Sequence, residues 1–162
     1  MKPSSSKDFF MEELERKNDK LYLILRGHLY IENELNKLLE GFIPNPEILE
    51  LYKRSFYNKI ELALSLNLIE LEHSEALLAF NELRNKYAHR LKYRISHQEI
   101  MYLKELVGKI DGLQVFNEGI TINNKSNSLI DIKSIIIALR VVLRERANTI
   151  IKCENPTFDL EK

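Results

Sequence analysis

Arg84, Asn85 and His89 fall within one short stretch, Arg84-Asn85-Lys86-Tyr87-Ala88-His89, and are residue types that RNA cleavage without a metal requires. Such cleavage needs one group to take the proton of a 2′-hydroxyl and another to protonate the 5′-leaving oxygen. The extra negative charge of the phosphorane must also be neutralised. Histidine titrates close to neutral pH and serves in proton transfer. Arginine stays protonated and meets phosphate oxygens with a planar fork of donors. Asparagine can orient either partner or a phosphate oxygen. A second reading of the same three residues is structural: a polar seam that caps loops or knits a dimer.

Spacing constrains how these groups meet. At about 100° per residue, Asn81, Asn85 and His89 share one helical stripe, whereas Arg84 and His89 diverge by roughly 140°. A regular helix does not bring arginine and histidine together unaided. Distortion near the helix end would, and so would two copies of the motif facing each other across a two-fold axis. Asparagine is a poor interior helix residue because its side chain competes for backbone hydrogen bonds. Two of them stacked below a histidine therefore call for a reason other than propensity.

The elements that must position the motif read as helices throughout. From Asp8 to about Glu40 no proline interrupts, and Leu21, Ile24, Leu25, His28, Ile31, Glu32, Leu35, Leu38, Leu39 and Phe42 trace one face at helical spacing. Gly27 in that run permits a close helix–helix approach. Asn45 followed by Pro46 and Glu47 is a helix start signal, and the spacing predicts a second helix to about Leu66. Asn67 is expected to end it in a left-handed or turn conformation. The motif helix is predicted from about Glu72 to Leu91, with Ala76, Leu77, Phe80, Leu83 and Tyr87 facing the core. Ser96 and Glu99 form a capping box that opens a helix to about Ile110. Asp111 to Asn127 reads as a loop with a short hairpin around Asn123-Asn124. Ser128 with Asp131 is expected to cap the last helix, which runs to about Cys153.

The 162 residues predict one all-α domain over residues 8–153, a bundle of about five helices, between a flexible N-terminus at 1–7 and a flexible tail at 154–162. Twenty-four basic residues balance 24 acidic ones, so general attraction to duplex phosphates is not favoured. No helix-turn-helix is evident, which argues against direct DNA binding. A single cysteine, Cys153, excludes an internal disulfide and a cysteine-based metal site. No apolar run suits a signal peptide or a membrane span, and a cytoplasmic location is expected.

Outside the motif, the candidates carry two readings each. His28 and Glu32, one turn apart on an apolar stripe, read as a satisfied core or interface pair, or as partners supporting the motif from behind. Arg140 and Arg144 on the last helix read as a solvated face, or with Lys133 as a weak RNA-steering patch. His73 and His97 have no metal-ligand spacing. No glycine-rich phosphate loop, Ser/His/Asp arrangement or catalytic carboxylate pair occurs, and no cofactor or metal is expected.

The arginine–x4–histidine pattern resembles the HEPN superfamily, small helical proteins many of which are RNA-cleaving toxins or defence nucleases. Leu25-Arg26-Gly27-His28-Leu29 with Ile31-Glu32, then Lys59 to Ile69, then Arg84-Asn85 to Ala88-His89, are similar to the mannitol operon repressor family. That likeness covers roughly Leu21 to Leu91. It implies a HEPN-like bundle and a homodimer with a composite site. One function it implies is metal-independent RNA cleavage as a toxin or defence component, with RNA and a cognate antitoxin or regulatory protein as partners. The alternative it implies is a non-catalytic transcriptional regulator acting through protein or ligand contacts. Asn67 stands where that family has a glycine. HEPN toxins paired with nucleotidyltransferase antitoxins carry a tyrosine two residues beyond the histidine, where this chain has Leu91.

Overall fold

The computed structural model describes residues 9–16, 19–113 and 127–154, and within them the chain is an all-α bundle without strands. Its six described α-helices are α1 Phe9–Arg16, α2 Lys20–Phe42, α3 Phe56–Ser65, α4 Leu71–His89, α5 His97–Lys109 and α6 Ser128–Glu154. The expected terminus at 1–7, the expected tail at 154–162 apart from Glu154, which ends α6, and the hairpin around Asn123-Asn124 lie outside the described residues. No described helix is long and apolar enough to cross a membrane.

The single first helix expected from Asp8 to Glu40 is two. Asp19 accepts a hydrogen bond from the Leu21 N–H and so starts α2 afresh. The second predicted helix also begins later than Asn45, which makes no side-chain cap. Pro46–Leu49 and Leu51–Lys53 are 3₁₀ turns separated by Glu50 in a left-handed conformation, φ 44°. Ser55 then caps α3 by accepting from the Asn58 N–H. Asn67 does end α3 at φ 56°, and the Ser96–Glu99 capping box opens α5 as expected. At the start of α6 the cap is Asn127, whose side chain accepts from Leu129. Asp131 is instead engaged by Lys104 at 2.7 Å.

α2 and α6 form the central pair, and α4 packs on α2, α3 and α5. Gly27 makes the α2–α6 approach possible: a Cβ there would lie 2.6 Å from Cδ1 of Ile136. Ile24, Ile31, Leu35, Leu38, Leu39, Ala76, Phe80, Ile100, Val107, Ile132, Ile136 and Leu143 fill the interior. Each large side chain removed from water there contributes roughly 1.5–3 kcal/mol. Arg140 belongs to this packing too. Its guanidinium pairs with buried Glu34 at 3.3 Å and lies 4.1 Å from the Phe10 ring centroid. Arg140 thereby joins α6 to α2. Arg144 is exposed.

Candidate functional site

α4 carries the motif on its last two turns, and both of its ends are anchored. At the N-terminal end, Glu70 and His73 form a reciprocal capping box. Arg146 of α6 closes over it, donating to His73 Nε2 at 3.2 Å, the Leu68 carbonyl at 3.2 Å and Glu70 at 2.7 Å. Burial first, and the Arg146 charge second, push His73 down to about 4. The neutral ring accepts at one nitrogen only, from Arg146 at 3.2 Å in preference to the longer 3.4 Å approach of the Glu70 N–H, and a second ring proton would remove that acceptor.

At the C-terminal end, the Tyr87 hydroxyl accepts from the Ile95 N–H at 3.1 Å. Tyr93 donates to Glu99 at 2.6 Å, and Lys86 donates to the same carboxylate at 3.1 Å. Burial alone would raise the Glu99 carboxyl, but hydrogen bonds from Tyr93, Ser96 and Lys86 outweigh it and hold Glu99 at about 2. Burial, and then the Glu99 carboxylate, push the Tyr93 hydroxyl upward. Leu91, two residues beyond His89, is 98% exposed.

Between these anchors the motif residues differ sharply in environment. Arg84 and Asn85 are half-buried, and Arg84 Nη1 donates to Asn85 Oδ1 at 3.0 Å. His89 is the last residue of α4, is exposed, and makes no hydrogen bond or ion pair among the described residues. α4 stays regular through His89, so nothing in its backbone turns Arg84 and His89 toward each other.

What the fold does bring together lies one turn earlier. His28 of α2 and Asn81 of α4 meet at 2.9 Å between Nε2 and Oδ1. With the carboxamide oxygen facing it, Nε2 carries the proton and donates. The ring sits against Phe56, centroids 4.3 Å apart, and is stacked on Phe80 at 6.5 Å. His28 Nδ1 has no hydrogen-bond partner and lies 3.9 Å from Glu32 Oε2. The other Glu32 oxygen accepts from Lys59 at 2.6 Å. Burial is the main force lowering the His28 pKa; the Arg84 and Lys59 charges add to it, while Asn81 and Glu32 oppose it.

His28, Glu32 and Asn81 thus adjoin the motif helix as one network. The chain matches no protein-family model, no curated protein and no solved structure. Lys59 is the member that sequence reasoning did not single out. Its signal was a lysine on the apolar period of α3, where Phe56, Ile60 and Ala63 face the core. Arg146 stood out only as part of the basic side of the last helix, and its pairing with Glu70 left no signal because the two are 76 positions apart.

Proposed function

We propose that this protein is a HEPN-type, metal-independent endoribonuclease, a toxin or defence component acting as a homodimer on RNA. The observation that supports this reading is the placement of Arg84, Asn85 and His89. All three lie on the final turns of α4, half-buried or exposed, with Asn81 and its bond to His28 one turn before Arg84 and Asn85. A structural seam would be expected to tie His89 to a neighbour, and it is tied to none among the described residues.

The chemistry is a transphosphorylation. The 2′-oxygen attacks phosphorus and gives up its proton. The bond from phosphorus to the 5′-oxygen breaks, and that oxygen takes a proton, leaving a 2′,3′-cyclic phosphate and a 5′-hydroxyl. His89 is assigned to proton transfer, Arg84 to the charge on the phosphorane and Asn85 to orienting the phosphate. Because Arg84 and His89 diverge by roughly 140° on a regular helix, the working pair is Arg84 of one copy with His89 of the other.

Incubation of the protein with total and transfer RNA in EDTA tests this directly. Wild type should release cyclic-phosphate ends. His89→Ala and Arg84→Ala should each cut at least about 100-fold more slowly while keeping their helical circular dichroism. Cleavage surviving both substitutions would rule the reading out.

A non-catalytic regulator is the second reading, and one feature favours it. A cavity of about 660 Å³ opens between the end of α2 and α6, with Phe42, Leu66, Leu68, Val142 and Ile150 as walls and Arg146 at its edge. That size suits a small effector. His73, which also lines it, is eleven residues from Arg84, about 16 Å along the helix axis. Absence of RNA cleavage together with saturable small-molecule binding at Arg146 would favour this reading.

A further inference from the structure

Lys59 is 2% exposed and sits on a helix face that otherwise presents Phe56, Ile60 and Ala63 to the core. Replacing a buried ion pair by apolar groups of similar volume is commonly neutral or stabilising. Stability therefore gives no account of why a lysine stands there. Contacts do. Lys59 holds one oxygen of Glu32 at 2.6 Å, and the other oxygen lies beside His28 Nδ1 at 3.9 Å. His28 in turn holds the carboxamide oxygen of Asn81 at 2.9 Å. This line crosses three helices, from α3 through α2 to α4, and ends three and four residues before Arg84 and Asn85 on the same face. With its oxygen taken by His28, Asn81 has two N–H donors with no partner among the described residues, and the residue is only half-buried.

We propose that Asn81 donates to a backbone oxygen of bound RNA beside Arg84 and Asn85, and that Lys59, Glu32 and His28 are positioning residues that hold its carboxamide for that contact. The inference rests on the nuclease reading and adds to it a substrate contact and the residues that aim it. The Nδ1 lone pair makes no hydrogen bond to Glu32; Lys59 neutralises the carboxylate that would otherwise draw the imidazole proton to Nδ1, and so keeps it on Nε2 for Asn81. Phe56 packs against the ring, centroids 4.3 Å apart.

The test is a cycle of three proteins compared with wild type in RNA cleavage and thermal melting: Asn81→Ala, the double variant Lys59→Met/Glu32→Gln, and their combination. Asn81→Ala should reduce kcat/KM roughly 10- to 100-fold. The double variant should melt at or above the wild-type temperature yet show a similar defect, and the combined variant should be no worse than Asn81→Ala alone. A purely structural pair predicts the opposite, with activity following the melting temperature. Wild-type rates in the double variant, or losses that multiply in the combined variant, would overturn the proposal and leave the nuclease reading standing. A double variant that does not fold would also overturn it, by showing that the pair supplies stability. A wild-type protein that cleaves no RNA would remove the nuclease reading, and this inference with it.

Discussion

Two side chains set how this protein responds to acid, and the sign follows from which form each prefers when folded. His73 is held at about 4, below its ordinary 6.5, so between those values the unfolded chain binds a proton that the folded one refuses. Stability is complete above pH 6.5 and falls as pH drops, by about 3 kcal/mol at pH 4 for a shift of this size. His28 is lowered as well and adds to the same trend. Urea denaturation at pH 7 and pH 4 checks this. His73→Gln, which can still accept from Arg146, should lose markedly less stability over that interval than wild type. Glu99 acts lower down. Its carboxylate stabilises the fold above its ordinary 4.5, and that contribution fades as pH falls toward about 2. Glu99→Gln should therefore melt below wild type at pH 6, with the gap closing toward pH 2. Residue types and spacing marked the Arg84–His89 motif, but neither of these titrations was legible. Each depends on a partner brought in by folding: Arg146 for His73, and Tyr93 with Lys86 for Glu99.

At the scale of elements, local chemistry decided the ends of helices and distant packing decided which faces they bury. The Ser96–Glu99 box and the left-handed Asn67 could be read directly, since each is settled within four residues. Helices that begin at Asp19 and Ser55 were not anticipated, because the apolar period runs on through both starts. Gly27 tests the packing. Helix propensity alone makes Gly27→Ala stabilising by about 1 kcal/mol. The Cβ would, however, lie within 3 Å of Cδ1 and Cγ1 of Ile136, and overpacking of this kind costs about 1–3 kcal/mol. Gly27→Ala should consequently lower the denaturation midpoint, and Gly27→Ala/Ile136→Val should recover part of the loss. A midpoint above wild type for the single variant would show that α2 and α6 move apart easily.

For the whole molecule, the decisive question is whether one chain holds a complete site. Arg84 and His89 do not meet within a regular α4, so a composite site predicts complementation between inactive variants. Mixing Arg84→Ala with His89→Ala, under conditions where subunits exchange, leaves one intact site in each mixed dimer. About a quarter of the wild-type cleavage rate should return, since about half the dimers are mixed and each keeps one of two sites. Light scattering should report a dimer in the same buffer. No recovery despite exchange would place the catalytic pair within a single chain.

Local pattern along the chain sufficed for the all-α class and for the position of the Arg84–His89 motif. Helical period, capping boxes and the Arg84–His89 spacing are local properties of the chain, set by about four residues on either side. Only folding shows that Arg140 pairs with Glu34, that His73 is a neutral anchor for Arg146, and that Lys59 begins a polar line ending at Asn81. Those outcomes turn on burial and on partners as many as 106 positions away, as between Glu34 and Arg140. A charge's role depends on what desolvates it and what pairs with it, and neither is written in its neighbours along the chain.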